Sequence, residues 1–446
     1  MKNYVGKWII VLGSMLLMYE NTLAWDLHTL IAHPIFSSMD EVTSSDSVRV
    51  RSLDDFLISV ESELALTLEQ EETWARENLE WYTPLPDDIA FQSTGNPDDI
   101  RKRFIEAVRI NPESKIISYL QLLPGDDPGE KPILLPGEIT PLKQNKGFYN
   151  VVFVGLSNEM LIDPLSVLVT SNDEPDMGLD IGLYENNGTP AGQIYGFGIQ
   201  PFGNPNLEYG SQAPIHMGLY HEADLVNKLA PYISHCLPEY RIHLYKTLSE
   251  LAFREGQDYW GWRFMGWGLH YIADLAQPYH TAALPGVSVF KMLTMNFLDI
   301  LGMSGMKDNA IQLVSNRHTA IESFGRQLFE RAHLASDPNS TIISLRTPTS
   351  VVLYTDDSPR SSLALKSNAQ AKKLDLAIAE GMPAYLVSDP DFELGDSPDQ
   401  REILQIMERE GDLVAIQSLE SQLNELLQLF SIYGRSYVMS ILSSKM

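Results

Sequence analysis

The sequence predicts a mainly α-helical protein, with one large domain interrupted by long irregular insertions. Apolar residues recur at helical spacing from Ser52 onward, and helical patterns dominate again from Glu222 to the C-terminus. The chain contains no run of short alternating strands, which argues against an appended β-sandwich. Hydrophobic residues make up 44% of the 446 residues and charged residues 20%, so the composition excludes disorder and predicts a large packed core.

The first 24 residues have the layout of a secretory signal peptide. Lys2 and Lys7 give a basic start, residues 8–18 are apolar and uncharged, and the stretch that follows ends in small residues at Ala24. The apolar run is too short to span a bilayer comfortably, and a buried N-terminal helix is the alternative. We therefore expect cleavage after Ala24 and export of the protein to the periplasm or the extracellular space.

Residues 25–446 would then form the mature domain. Cys236 is the only cysteine in the sequence, so an exported chain of this kind has no internal disulfide. The fold must be held together by its core or by bound metals.

Residues 40–150 are expected to combine helices and loops. Ser52 begins a predicted helix, and residues 96–99 (Asn-Pro-Asp-Asp) have the cap, proline and acids of a second helix start. The first of these helices has one apolar face, formed by Leu53, Leu57, Val60 and Leu64.

Two irregular stretches follow. Residues 124–147 are rich in Pro and Gly and predict a surface loop with room for a short hairpin, and residues 151–154 predict a brief strand. Residues 173–209 are again rich in Gly, Pro and Asn, and are too long to be a simple connection. The last long helix is predicted to turn a stripe toward the core, formed by Leu419, Leu423, Leu426 and Phe430.

The segment from Gly268 to His280 carries the clearest chemical signal. His270 and Asp274 are four residues apart and share a helix face. Gln277-Pro278 then ends the helix and brings His280 in from another direction. Imidazole and carboxylate ligands together suit zinc or a similar divalent ion. A capped helix end with two hydrogen-bonded histidines is the ordinary alternative.

Other histidines and carboxylates extend this signal. His318 and Glu322 form a second pair at helical spacing, although such a pair alone is more often a surface hydrogen bond. His216 follows a stretch that contains Asp176 and Asp180. The predicted mature N-terminus reads Trp-Asp-Leu-His and would place a free α-amine, a possible metal ligand, three residues before His28.

Together these motifs resemble the superfamily of zinc-dependent phospholipases C and S1/P1 nucleases. The shared pattern is a mature N-terminal Trp, an early His, a central His-x3-Asp-x5-His with Gln-Pro before its last His, and a later His-x3-Glu. The sequence around residues 174–182 and 200–205 is most similar to that of secreted zinc metallophospholipases C of Gram-negative bacteria. The resemblance implies a phospholipase C/P1 nuclease-like helical bundle.

The resemblance also implies up to three zinc ions. The first ion would be held by Asp176, His216, His270 and Asp274. The second would be held by His280, His318 and Glu322, with positions left open for water or substrate. The third would be held by the amine and carbonyl of Trp25, by His28 and by the other oxygen of Asp274.

Asp176 is preferred to Asp180 as the ligand because it directly follows a proline, as the family's aspartate often does. The family further implies that Asp176 orients or deprotonates the attacking water. Two intervals are wider than is usual in the family, that from Asp176 to His216 and that from His280 to His318.

The expected function is that of a secreted zinc phosphodiesterase, a phospholipase C that hydrolyses phosphatidylcholine-like lipids to diacylglycerol and a phosphorylated headgroup. An S1/P1-type nuclease on single-stranded nucleic acid and a non-catalytic secreted binding protein are the alternatives. The formal net charge of −27 argues against extended contact with nucleic acid and against an anionic membrane, but not against a zwitterionic lipid surface. The expected partner is therefore a phospholipid membrane as substrate, and the sequence indicates no stable protein partner.

Residues 284–312 form an insertion between two predicted ligand segments. From residue 287 to residue 306 it is rich in Met, Leu and Phe, and its only charged residues are Lys291 and Asp299. A buried helix is the more ordinary interpretation, and a lid that contacts lipid is the alternative.

Overall fold

Helices make up most of the protein. The computed structural model describes residues 27–143, 148–206, 208–336, 340 and 344–445. It is 62% helical and 3% strand, which confirms the mainly α class. The predicted signal peptide and Trp25 lie outside the described residues. Within the described part of the chain, no helix combines the length and the apolar character needed to cross a membrane.

The helices are numbered in chain order. Those before residue 230 are α1 His28–Phe36, α2 Asp40–Thr43, α3 Leu53–Asn78, α4 Ile100–Ala107, α5 Pro136–Ile139, α6 Pro164–Ser171, α7 Pro190–Ile194, α8 Glu208–His216 and α9 Asp224–Leu229. Those after it are α10 Pro238–Arg254, α11 Asp258–Ala276, α12 Pro278–Thr281, α13 Val289–Ile300, α14 Gly305–Ala335, α15 Leu365–Gly381, α16 Ala384–Val387, α17 Ile403–Glu410 and α18 Leu413–Lys445.

Five short strands form two small antiparallel sheets. They are β1 Val48–Arg49, β2 Tyr119–Leu122, β3 Ile133–Leu134, β4 Val152–Gly155 and β5 Leu161–Ile162. β1 pairs with β5, and β4 lies between β2 and β3. The brief strand predicted over residues 151–154 is confirmed by β4. Among the described residues of the stretch 124–147, the hairpin that the sequence allowed does not form, and β3 pairs with β4 instead.

Helix α3 begins where its sequence predicts. The side chain of Ser52 accepts a hydrogen bond from the backbone N–H of Asp55 at 3.1 Å, and the predicted apolar face is buried. The second predicted helix starts later than expected. The side chain of Asn96 accepts from the N–H of Asp98 at 3.2 Å and forms a local turn, so α4 begins only at Ile100.

Helix α11 is the centre of the fold. Every residue from Tyr259 to Ala276 is buried, and the helix packs against α6, α10 and α18. The predicted core face of α18 is confirmed: Leu419, Leu423 and Phe430 are fully buried and Leu426 is 2% exposed. A continuous hydrophobic core joins these helices to α1 and α3. The chain that precedes and follows α11 is therefore held in a fixed position around it.

A buried ion pair ties α11 to the irregular stretch after α6. The guanidinium of Arg263 donates to Glu174 from Nε at 2.9 Å and from Nη2 at 2.7 Å, and the indole N–H of Trp267 donates to the same carboxylate. Both charged residues are at most 5% exposed. This bidentate pair fixes the backbone two residues before Asp176.

A candidate metal centre

Six separate segments bring the predicted ligands together. His28 opens α1, His216 ends α8, and Asp176 lies in a single 3-10 turn over residues 175–177. His270 and Asp274 lie on α11, His280 lies on α12, and both His318 and Glu322 lie on α14. Within the described residues, their ligand atoms form three buried groups that could hold a metal ion: His28–His270–Asp274, Asp176–His216–His270 and His280–His318–Glu322.

Three ligand atoms, from Asp176, His216 and His270, lie close to the separations expected around one tetrahedral ion, and an oxygen of Asp274 lies near both imidazoles. Two ligands about 2.0–2.1 Å from a zinc ion are about 3.4 Å apart when the coordination is tetrahedral. His216 Nδ1 lies 3.6 Å from Asp176 Oδ1, 3.0 Å from His270 Nε2 and 3.0 Å from Asp274 Oδ2. His270 Nε2 lies 3.8 Å from Asp176 Oδ1 and 3.3 Å from Asp274 Oδ2. The donor set and its spacing therefore fit a divalent cation.

Asp274 faces two groups at once. Its Oδ2 lies toward His216 and His270, whereas its Oδ1 lies 3.5 Å from Nε2 of His28 and 3.9 Å from Nδ1 of His280. Oδ1 is buried and forms no hydrogen bond with the described residues. Since each oxygen points at a different pair of imidazoles, the carboxylate is oriented as a bridge between two cations would be.

The group on α12 and α14 is nearly as buried. His318 Nε2 lies 2.6 Å from Glu322 Oε1, and the ring of His318 stacks on that of Tyr279 with the centroids 5.1 Å apart. The phenol of Tyr279 donates to Asp375, which also accepts from Arg317 at 2.8 Å. Tyr279 and Arg317 directly precede His280 and His318. The carboxylate of Asp375 thus holds the neighbours of both histidines.

Backbone carbonyls orient two of the imidazoles. His270 Nδ1 donates to the carbonyl of Asn172 at 2.8 Å, and His280 Nδ1 donates to the carbonyl of His216 at 3.2 Å. A proton on Nδ1 leaves Nε2 with its lone pair, as a metal-bound histidine needs.

Asp180 has a different role from Asp176. Its carboxylate accepts from Arg241 Nη2 at 2.7 Å and from the hydroxyl of Tyr271, and it lies 3.2 Å from Nε2 of His216. The opposite nitrogen of that imidazole faces Asp176 and His270. Asp180 therefore contacts His216 on the ring nitrogen that faces away from the candidate metal position. This favours Asp176 over Asp180 as the metal ligand.

Two further residues support the site without any signal in the sequence. The Asp173 carboxylate accepts from the backbone N–H and hydroxyl of Thr29 and from Gln121, and its Oδ1 lies 3.4 Å from Nδ1 of His28. The side-chain amide of Gln212 donates to Asp176 Oδ1 at 3.0 Å. Both contacts join residues far apart in the chain, so no local pattern could have predicted them.

Neighbouring carboxylates favour the protonated form of two imidazoles in the cluster. Burial disfavours the charge on His28, but the nearby carboxylates of Asp173 and Asp274 outweigh it and raise the pKa to about 9. Burial likewise opposes charge on His216, and the nearby carboxylates of Asp180 and Asp274 raise the pKa to about 10. Burial raises the pKa of Asp176 to about 7. A cation that binds here must displace protons from the two imidazoles.

The remaining histidines of the group are suited to bind as neutral ligands. Burial lowers the pKa of His280, and it lowers that of His270 and that of His318 well below the usual range. The eight described candidate ligands are all 0–6% exposed, and the most exposed are Asp176, His280 and Glu322. An incoming ligand would therefore reach the group from the side of these three residues.

Comparison of the chain with family models, with curated proteins and with solved structures found no significant match.

Proposed function

We propose that the protein is an exported, zinc-dependent phospholipase C that cleaves zwitterionic glycerophospholipids to diacylglycerol and a phosphorylated headgroup. The observation that carries the proposal is the convergence of eight buried ligand-type side chains into three groups, two of which share His270, with Asp274 facing His216 as well as His28. The mainly helical fold agrees with the helical bundle that the sequence resemblance implies.

The donor set favours zinc among the common divalent ions. Five imidazoles and three carboxylates suit zinc, whereas calcium and magnesium prefer oxygen ligands. The proposed assignment is that of the resemblance. Asp176, His216, His270 and Asp274 hold one ion, His280, His318 and Glu322 hold a second, and His28 with Asp274 and the terminal Trp25 holds a third.

When bound, zinc ions neutralise the charge of a phosphate, activate a water molecule and stabilise a departing alkoxide. The side chains supply orientation and proton transfer. Gln212 and the imidazoles surround Oδ1 of Asp176, while Oδ2 lies 3.8 Å from Nδ1 of His28. We assign Oδ2 of Asp176 as the atom that accepts a proton from the attacking water.

The ester is proposed to be a phospholipid rather than a nucleic acid. A polyanion must be held along its length by clustered Lys and Arg, and this chain has 32 basic against 59 acidic residues. A zwitterionic headgroup carries no net charge and needs only its phosphate to be neutralised at the site. The excess of acidic residues therefore disfavours binding of a nucleic acid and does not disfavour binding of a zwitterionic phospholipid.

A paired hydrolysis assay tests the proposal. The zinc-loaded protein is incubated with phosphatidylcholine vesicles and, separately, with single-stranded DNA and RNA. We expect release of phosphorylcholine and diacylglycerol without release of nucleotides. Nucleotide release alone would instead establish the nuclease, and a zinc-loaded protein that hydrolyses neither substrate would favour a non-catalytic binding protein.

A further inference from the structure

Helix α13, the turn after it and the first turn of α14 expose a series of large apolar side chains. We call this series the apolar stripe: Phe290 (80% exposed), Phe297 (53%), Leu301 (57%), Met303 (53%) and Met306 (45%). Phe290 and Phe297 are seven residues apart and so lie on one helix face. Met292 and Met295, 8% and 0% exposed, form another face, and α13 packs against α14. The expectation of an ordinary buried helix was therefore wrong.

The stripe differs in charge from the rest of the protein. The whole chain carries a formal net charge of −27, yet residues 287–306 contain one cation and one anion. Aromatic, leucine and methionine side chains on a neutral surface suit the boundary between lipid headgroups and acyl chains. Exposure of such a contiguous apolar surface to water is unfavourable.

The stripe is anchored beside the candidate metal centre. The chain between His280 and α13 passes directly over Asp375, where a Cβ on Gly286 would lie 1.9 Å from the carboxylate oxygen. Asp375 in turn accepts from Tyr279 and Arg317, the residues that directly precede His280 and His318. The segment that leads into the apolar stripe thus packs against the same carboxylate that holds the residues preceding two candidate zinc ligands.

We propose that the apolar stripe inserts into the surface of a zwitterionic phospholipid bilayer and brings the metal centre to the headgroups. This deepens the proposed function and rests on it. Phe290 and Phe297 enter below the headgroup phosphates. Leu301 and Met303 in the following turn and Met306 at the start of α14 extend the contact. The segment that links two ligands of the same candidate zinc ion then also binds the substrate surface.

A second copy of the chain is the competing occupant of this face. Two copies that meet there would bring together two strongly acidic molecules, and residues 287–306 contain only one cation, Lys291, to offset that repulsion. An uncharged bilayer imposes no such cost, whereas an anionic bilayer does. The charge balance therefore favours a zwitterionic membrane over self-association.

The test compares two double variants. F290S/F297S removes the aromatic part of the stripe, and I58S/L66S removes two side chains of α3 that are 51% and 53% exposed, as a matched control. Binding is measured by flotation with vesicles of a phosphonate analogue of phosphatidylcholine, which a phospholipase C cannot cleave. We expect F290S/F297S to bind at least about tenfold more weakly than the unchanged protein. The control variant should bind as the unchanged protein does, and added phosphatidylglycerol should weaken binding.

Hydrolysis separates docking from the chemistry. F290S/F297S should cleave dibutyroyl phosphatidylcholine, a substrate dissolved as monomers, within about twofold of the unchanged rate, while its rate on long-chain vesicles falls about as much as its binding. Equal vesicle binding by all three proteins would overturn the docking proposal, and so would a dimer in sedimentation that F290S/F297S dissociates. Vesicle binding through the stripe without hydrolysis of either substrate would instead overturn the proposed function and leave the docking intact.

Discussion

The substitution D274N tests the bridge between two candidate ions. Asp274 directs Oδ2 at His216 and His270 and Oδ1 at His28, so an asparagine removes the charge and one of the two oxygens that face the imidazoles. Removing an outer partner of a metal ligand costs about 10- to 100-fold in affinity. Loss of an inner ligand should exceed this, so we expect at least about 100-fold weaker binding for each of two ions.

D180N provides the comparison. Asp180 touches one candidate ligand from behind, so the same reasoning gives about 10- to 100-fold for a single ion. The substitution also weakens a fully buried pair with Arg241, whose guanidinium keeps hydrogen bonds to the carbonyls of Val108 and Arg109 at 2.7 and 2.8 Å. Removing one partner of a buried pair costs about 3–5 kcal/mol, so D180N should melt at a lower temperature.

The two variants are compared by zinc content and by thermal melting. Each protein is equilibrated against a chelator-buffered zinc series, and bound zinc per chain is measured by plasma mass spectrometry. D274N should bind about two ions fewer than the unchanged protein across the middle of the series, whereas D180N should reach the full zinc content at higher free zinc. Equal zinc curves for D274N and D180N, in proteins that both melt cooperatively, would refute the bridging role of Asp274.

Four further outcomes are expected. A strong chelator should abolish phosphodiesterase activity and added zinc should restore it; activity that persists in the chelator would contradict a zinc mechanism. An alanine added before Trp25 of the mature form should reduce zinc content and activity, and a fully active extended protein would remove that residue from the site. His28 and His216 must each lose a proton when a cation binds, so zinc affinity should rise with pH below about 9. The rise should be up to about tenfold per pH unit for each proton displaced. A pH-independent zinc affinity would contradict this linkage. E174Q should lower the free energy of unfolding by about 3–5 kcal/mol because Arg263 keeps its buried charge, and an unchanged melting temperature would contradict it.

Local patterns predicted the elements that depend on local physics. The Ser52 cap and the apolar spacing after it located the start of α3, and the stripe of Leu419, Leu423 and Phe430 located a core face of α18. The break at Gln277-Pro278 correctly separated α11 from α12. Each of these features depends on residues within a few positions of one another.

Features that depend on distant residues were not predictable in the same way. The sequence left Asp176 and Asp180 open, and contacts of Asp180 with Arg241 and Tyr271 separate their roles. Asp173 contacts His28 although the two residues are far apart in the sequence. It also lies in an irregular stretch that has no periodic pattern. The partner of β3 likewise depends on long-range packing rather than on turn chemistry.

The candidate ligands that the structure describes begin at His28 and end at Glu322, and they are drawn from six segments. Ions bound to them would act as cross-links between the start and the middle of a chain whose single cysteine, Cys236, excludes an internal disulfide. We expect the zinc-depleted protein to be the form that proteases digest. If the protein is exported as proposed, its lifetime outside the cell would then depend on the free zinc of its surroundings.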